Sequence, residues 1–191
     1  MRTTRKFAVV AAAAVMAGAT AAGAAQATPK AAATAPAAGK GAPSAAGNSR
    51  CHAGELRYSW DSAHGGRPDM DATDQQIAAV RLKNNGGRTC TLHGFPGVRL
   101  IGKSGEAWDL RRSADRPSTI TLRPGDDTAL VTLTILPVAE HGAGAFVPSK
   151  VLITPPDEKA HVTLAWPYGG AILDQSGATH PGTYVNPVGV G

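Results

Sequence analysis

Alternation of apolar and polar residues, the pattern of a β-strand, recurs along the chain after residue 50 and constrains the fold more than any other feature. Between Ile77 and Asn84, for example, Ala78, Val80 and Leu82 take every second position, so we expect them to face the core. Six other segments alternate in the same way: Leu56 to Trp60, Val98 to Leu100, Ile120 to Leu122, Val131 to Ile135, Val151 to Ile153 and Val162 to Trp166. No helical period of about 3.6 residues persists here, so the sequence predicts half-buried strands.

Residues that favour tight turns separate the predicted strands. They are Asn84 to Gly87, Pro96-Gly97, Ser104-Gly105 and Pro124-Gly125, where Gly permits a positive φ and Pro fixes φ. About seven or eight short strands in about 140 residues predict an all-β domain of two antiparallel sheets packed as a sandwich. The pattern leaves a closed barrel open as the alternative.

The first 49 residues differ in composition from the rest of the chain. Residues 1–27 have a basic start, an uncharged apolar run from Phe7 and the small-residue cleavage pattern Ala25-Gln26-Ala27, which predicts a secretory signal peptide. Residues 28–49 are almost wholly Ala, Pro, Gly, Thr, Ser and Lys, so we expect a disordered linker that cannot bury a core. The β-sandwich domain is then predicted to span residues 50–191.

The apolar run is weakly suited to a permanent membrane anchor. Its length approaches the roughly 20 residues that cross a bilayer, but Ala and Gly contribute little insertion energy compared with Leu or Phe. A lipid anchor is also disfavoured, because the first cysteine, Cys51, comes well after the run. We therefore expect a secreted, extracellular protein with no stable membrane anchor once the signal peptide is removed.

The formal net charge of +5 belongs to the N-terminal segments. Five basic residues and no acidic residue precede position 50, so residues 50–191 carry equal numbers of basic and acidic side chains. The domain therefore lacks the excess positive charge that drives association with nucleic acid phosphates. We expect no nucleic acid partner.

Cys51 and Cys90 are the two cysteines of the chain. In an exported protein two cysteines are more often paired than free, which predicts a structural disulfide. The bond would close a loop of about 40 residues and fasten the N-terminal edge of the domain to the sheet. A redox-active thiol is the alternative, but the chain has no Cys-x-x-Cys pair to support it.

Three segments resemble a known family. They are Val80 to Asn84 (Val-Arg-Leu-Lys-Asn), Thr89 to Val98 (Thr-Cys-Thr-Leu-His-Gly-Phe-Pro-Gly-Val) and Thr119 to Gly125 (Thr-Ile-Thr-Leu-Arg-Pro-Gly). Together they resemble the actinobacterial exported domain of unknown function 4232. In that family a Cys-Thr-Leu-x-Gly-Tyr-Pro-Gly-Val segment follows an Asn at a strand end, and a Leu-x-Pro-Gly turn comes later.

The resemblance covers Cys51 to about Trp166 and implies an immunoglobulin-like β-sandwich on a secreted protein or lipoprotein. It brings no established activity and no catalytic residues. Members often carry further cysteines in the C-terminal half, whereas this chain has none after Cys90, so we expect no second disulfide. Phe95 stands where the family commonly has Tyr, and we expect its ring to be buried at a corner where the chain crosses between sheets.

No catalytic or metal-binding pattern stands out in the sequence. The six histidines, at positions 52, 64, 93, 141, 161 and 180, show no His-x-His or His-Glu-x-x-His spacing. Asp69, Asp71 and Asp74 partly resemble a calcium loop, but an EF-hand needs Gly where Asp74 stands and Glu where Val80 stands. A solvated loop is the expected structure there, with weak calcium binding as the alternative. We expect no enzyme, no catalytic residues, no metal and no cofactor.

The aromatic residues give the remaining indication of a binding site. Trp60 and Trp166 continue the inward-facing alternation and are predicted to be interior, which leaves Trp108 and Tyr168 as possible exposed ligand contacts. Flat aromatic faces suit the pyranose rings of a wall polymer.

A cluster of Arg111, Arg112 and Arg116 follows Trp108 in the sequence. Such a cluster is suited to an anionic wall polymer, but Asp109 and Asp115 alternate with the arginines and weaken the local field. We therefore expect a solvated loop that neutralises its own charge.

These observations favour a secreted, non-enzymatic β-sandwich that serves as an interaction module of the bacterial cell envelope or exterior. A carbohydrate- or cell-wall-binding module is the first alternative, and a secreted hydrolase is the second. The sequence does not identify the partner; a cell-wall polymer and another exported protein are the two candidates.

Overall fold

The structure of the chain is a computed structural model that describes residues 50–62 and 66–190. The signal peptide predicted for residues 1–27 and the linker predicted for residues 28–49 lie outside the described residues. Within the described part of the chain, no helix is long and apolar enough to cross a membrane.

The described residues form fifteen β-strands and one 3₁₀ turn, Ala53–Glu55. The strands are β1 (Leu56–Asp61), β2 (Gln76–Asn84), β3 (Cys90–His93), β4 (Gly97–Gly102), β5 (Ala107–Asp109), β6 (Arg111–Arg112), β7 (Thr119–Leu122), β8 (Thr128–Ile135), β9 (Pro137–Val138), β10 (Ala145–Phe146), β11 (Pro148–Thr154), β12 (Val162–Ala165), β13 (Ala171–Leu173), β14 (Tyr184–Val185) and β15 (Gly189–Val190). Eight of these strands have four or more residues, and they include the seven that the alternation predicts. The prediction of an all-β fold is confirmed.

Two larger sheets and two smaller ones organise these strands. The first sheet has the order β1-β2-β8-β14-β6, with β15 also paired to β8, and the second has the order β12-β11-β4-β5. Strands β3 and β7 form a two-stranded sheet, and β10, β13 and β9 form a three-stranded one. All pairs are antiparallel except β14 with β6. Every sheet of the described residues ends in edge strands, so the barrel alternative is wrong, and the arrangement is compatible with an immunoglobulin-like sandwich.

One hydrophobic core joins the two larger sheets. Val80 and Val131 on the first sheet and Leu100 and Val151 on the second are all fully buried in it. The alternation therefore predicted the inward faces correctly. Ala79 is an exception, because it is buried although its position predicts exposure. Its N–H donates to a carbonyl outside the strands, at Gly66, so a packed loop lies beside it.

A disulfide fixes the start of the domain, as predicted. Cys51 and Cys90 are bonded and fully buried, and the Cys51 N–H also donates to the Thr91 carbonyl at 2.9 Å. Glu158 holds the same segment, since its carboxylate accepts hydrogen bonds from Arg50 Nε at 3.0 Å and from His52 Nδ1 at 2.9 Å. The hydrogen bond from His52 lowers the pKa of Glu158.

A buried asparagine joins the end of β2 to two other segments. Asn84 Nδ2 donates to the carbonyls of Arg88 and Leu122, both at 2.9 Å, and its Oδ1 accepts the Gly86 N–H at 2.9 Å. The side chain is fully buried, so these bonds satisfy polar groups that have no water to turn to. Asn84 is the asparagine that precedes the family-like segment Thr89 to Val98. Its side chain holds the end of β2 to the loop that follows and to β7.

Candidate functional site

Three aromatic rings, from β1 and from the segment that follows β12, pack against one another. The ring centroids of Trp60 and Trp166 are 5.6 Å apart, and those of Tyr168 lie 5.2 Å from Trp60 and 5.1 Å from Trp166, all in edge-to-face geometry. Trp166 is buried as predicted, whereas Trp60 is only half-buried and packs against the core. The three rings therefore form a rigid unit rather than three independent side chains.

Each ring of this cluster also has its polar group satisfied. Trp60 Nε1 donates to the Ala165 carbonyl at 2.8 Å, and Trp166 Nε1 donates to the Gly169 carbonyl at 2.9 Å. The Tyr168 hydroxyl donates to the Gly66 carbonyl at 3.2 Å. Burial raises the pKa of Tyr168 to about 12, so the hydroxyl stays a proton donor at neutral pH.

Tyr168 reaches the surface in a groove of about 810 Å³, which we call the Tyr168 groove. Its lining is formed by Met70, Asp71, Ala72, Thr73, Leu136, Pro137, Val138, Ala139, Glu140, Tyr168 and Gly170. Tyr168, Met70 and Asp71 also line a smaller neighbouring groove of about 440 Å³, which contains Arg67. The predicted contact residue Tyr168 thus lies where two grooves meet.

Met70 and Gly170 shape the Tyr168 groove between them. Gly170 has a φ of +64°, and a Cβ added to it would approach the Cβ of Met70 to 2.9 Å. Only glycine therefore fits both the backbone conformation and the close approach of Met70. Sequence reasoning missed Met70 and Glu140, because they come from loops far apart in the chain that carry no motif.

The prediction that Trp108 is an exposed contact is wrong. Trp108 is only 4% exposed, and its ring packs edge-to-face on Phe146 at 5.7 Å. The reason is its register on β5, where it lies opposite the buried Leu100 of β4. Ala107 and Asp109 on either side are exposed, so the same alternation that found the other strands carried a signal for this one.

The acidic loop before β2 forms local turns. Asp69 Oδ1 accepts the Asp71 N–H at 3.0 Å, and Asp74 Oδ1 accepts a hydrogen bond from Gln76 Nε2 at 3.2 Å. Among the residues that the structure describes, no group of three or more His, Cys, Asp or Glu side chains converges in a way that could hold a metal ion. The loop is solvent-exposed, as expected.

The histidines of the described residues show two side-chain pairs. His52 contacts Glu158, and His93 Nδ1 lies 3.1 Å from Thr119 Oγ1. Both pairs are exposed, and neither lies in the Tyr168 groove. His64, one of the six histidines considered above, lies outside the described residues.

A second large groove, of about 730 Å³, lies beside β6, and we call it the arginine groove. Its lining is formed by Leu110, Arg111, Arg112, Ser113, Ala114, Asp115, Thr179, His180, Pro181 and Tyr184. Arg116 is exposed but does not line it. No residue lines both this groove and the Tyr168 groove.

Asp109 does not neutralise the arginines that follow it, contrary to the sequence-based expectation. Both of its carboxylate oxygens accept hydrogen bonds from Arg99, at 2.7 and 2.6 Å, because β4 and β5 place these residues opposite each other. The bonds from Arg99 lower the pKa of Asp109.

Arg112 lies over the ring of Phe95, with Cζ 5.5 Å from the ring centroid. Phe95 is only half-buried, whereas its ring was expected to be buried, but its segment does join β3 to β4, which lie in different sheets.

Fold and surface together define a disulfide-bonded, antiparallel β-sandwich that carries two separate grooves of ligand size. The chain belongs to the family described as a domain of unknown function (DUF4232), whose model matches residues 51–189. The match begins at the first disulfide cysteine and ends within β15. Comparisons with curated proteins and with solved structures give no match.

Proposed function

We propose that this chain is an exported, non-catalytic binding module of the bacterial cell envelope, and that it binds the saccharide part of a wall polymer in the Tyr168 groove. The observation that carries the proposal is the position of Tyr168. Its ring is fixed by two tryptophans from behind and reaches a groove of about 810 Å³ in front. That volume lies within the range of small-molecule sites, roughly 300 to 1,000 Å³.

The chemistry of the lining supports a sugar ligand. The ring of Tyr168 and the side chain of Met70 offer apolar surface to the C–H face of a pyranose ring. Asp71 and Glu140 line the same groove at exposed positions, where their carboxylates can accept hydrogen bonds from sugar hydroxyls. An apolar wall with a few polar acceptors is the usual composition of a small-molecule site.

The rigidity of the aromatic cluster also supports binding. The Tyr168 hydroxyl is tied to Gly66, and its ring is packed against Trp60 and Trp166. A side chain that is already ordered loses little conformational entropy when a ligand stacks on it.

Binding without catalysis fits the two carboxylates better than hydrolysis. A glycosidase acid is typically a carboxyl group whose pKa is raised by an apolar pocket. Asp71 and Glu140 both lie at exposed positions instead. The apolar leader and the disulfide support export, since disulfides persist in oxidising compartments.

The test is co-sedimentation of the purified protein with isolated bacterial cell wall at about 0.5 M salt, where the Debye length of about 4 Å screens exposed ion pairs. We expect the protein to pellet with the wall. Tyr168→Ala should abolish pelleting, while Tyr168→Phe, which keeps the ring, should retain it. Tyr58→Ala is the matched control, because Tyr58 is also a half-buried tyrosine packed against the core, but it lines neither the Tyr168 groove nor the arginine groove.

Two further measurements make the result decisive. Thermal unfolding of Tyr168→Ala must show a folded domain, because this ring also packs in the aromatic cluster. Soluble saccharide fragments of the wall should compete with pelleting. Failure of the wild-type protein to pellet would refute wall binding and favour another exported protein as partner. Release of reducing ends, lost in Asp71→Asn, would favour the hydrolase instead.

A further inference from the structure

We propose that the arginine groove is a second binding site, specific for a phosphate ester group on an envelope polymer. The proposal goes beyond the saccharide function and rests on other residues. Its starting point is the pair of adjacent arginines, Arg111 and Arg112, which form the whole of β6 and are both exposed.

The backbone of this pair is held in place. Strand β6 pairs in parallel with β14, where Tyr184 lies opposite Arg111 and Val185 opposite Arg112. The chain just after the strand is fixed as well, because the Ser113 N–H donates to the Val185 carbonyl at 2.9 Å. The two arginines therefore extend from a strand whose backbone is already fixed before a ligand binds.

The charge of the pair is not neutralised by a carboxylate within the described part of the chain. In the described residues no ion pair joins Arg111 or Arg112 to a carboxylate. Asp109 is occupied by Arg99. Asp115 also lines the groove, but its carboxylate accepts a hydrogen bond from Ser113 Oγ at 3.0 Å. The groove lining therefore contains two permanent positive charges and one exposed carboxylate.

Phe95 arranges one of the two guanidinium groups. The ring lies 5.5 Å from Arg112 Cζ, within the range of a cation–π contact. Such a contact orients the planar guanidinium while its N–H groups remain available at the edge. A planar fork of N–H donors matches the oxygen atoms of a phosphate group, and this match is specific to arginine.

The rest of the lining is suited to a larger ligand that bears the phosphate. Thr179, His180 and Tyr184 line the groove and offer further polar groups. A volume of about 730 Å³ is much larger than one inorganic anion requires. The domain carries equal numbers of basic and acidic residues, which disfavours duplex nucleic acid and favours a sparsely charged polymer.

The experiment is calorimetric titration of the purified chain with glycerol 3-phosphate and with a glycerol phosphate oligomer. Arg111→Gln combined with Arg112→Gln should weaken binding of both at least about tenfold, since each lost charge-assisted hydrogen bond costs about that factor. Arg111→Lys combined with Arg112→Lys keeps the charge and loses the fork, so we expect an intermediate loss. Binding should also weaken as salt is raised.

The matched control is Arg57→Gln combined with Lys83→Gln. These residues lie opposite each other on β1 and β2, are exposed and do not line the groove, so the two substitutions remove the same charge at another place on the domain. We expect less than a twofold change. An equal loss in the control would mean a general field effect and would overturn the proposal, as would no measurable binding by the wild-type chain at about 10 mM glycerol 3-phosphate.

Two further results separate phosphate binding in the arginine groove from DNA binding and from the saccharide function of the Tyr168 groove. A DNA duplex that binds more tightly than the oligomer, through the same arginines, would replace the envelope polymer as ligand and overturn the proposal. The two groove functions also fail independently. Tyr168→Ala should leave phosphate titration unchanged, and the double Gln variant should still pellet with cell wall at about 0.5 M salt.

Discussion

Removal of the Cys51–Cys90 disulfide tests how the start of the domain is stabilised. The two cysteines are 39 residues apart in sequence and are both fully buried. Opening a closed loop of about 40 residues raises the conformational entropy of the unfolded chain enough to lower the free energy of unfolding by about 4 kcal/mol at 25 °C. For a domain of this size, the melting temperature should fall by roughly 10–15 °C.

The assay is urea denaturation of the wild-type protein, the reduced wild-type protein and the Cys51→Ala/Cys90→Ala variant. Reduced protein has the same sequence, so it isolates the cross-link from the loss of two buried sulfur atoms. The slope of the free energy of unfolding against urea concentration should be steeper for the reduced protein and for the double variant than for the wild type. The reason is that the unfolded chain without the cross-link exposes more surface. A loss of less than about 1 kcal/mol in the reduced protein would refute the reasoning, because the cross-link would then not restrict the unfolded chain as loop closure requires.

Two further predictions concern the polar contacts of the framework. Asn84→Ala removes the three hydrogen bonds of a fully buried side chain and should lower the free energy of unfolding by about 3 kcal/mol in urea denaturation. Asn85→Ala at the exposed neighbouring position should change it by less than about 0.5 kcal/mol, and similar losses in both variants would contradict the role given to Asn84. Hydrogen bonds from Arg123 lower the pKa of Asp127 from its ordinary value of 3.8 to about 2, so this pair stabilises the folded state above about pH 4 and the contribution disappears as the pH falls through 2. The melting temperature of Asp127→Asn should therefore lie below that of the wild type at pH 6, and the difference should shrink as the pH falls towards 2. A difference that is as large at pH 2 as at pH 6 would argue against the ion pair.

Much of the fold could be predicted because alternation is a local property. Each predicted strand is found, and residues such as Val80 and Leu100 face the core as their positions require. The pairing of Cys51 with Cys90 followed from their number alone. The short strands were not predicted, since two or three residues are too few to show a period. Strand β6 is an example, because Arg111 and Arg112 look like a charged loop in the sequence.

The candidate site was only half predictable. Tyr168 was singled out as a contact, and the structure places its ring in a groove. Trp108 was singled out with it, but pairing of β5 with β4 turns that ring inward. Nothing in the sequence brings Met70 and Glu140 to Tyr168, because these residues are separated by long stretches of chain and meet only through the packing of loops.

The sequence by itself determined the seven alternating strands, their inward faces and the disulfide, since each depends on neighbouring residues or on a count of two. Tertiary structure alone decided where charge and aromatic surface remain available. Asp109 follows Trp108 and precedes the arginines in the chain, yet its partner is Arg99 on the adjacent strand. Register between strands chooses that partner, and the choice leaves Arg111 and Arg112 without a carboxylate in the described part of the chain, because an ion pair depends on distance in space rather than in sequence.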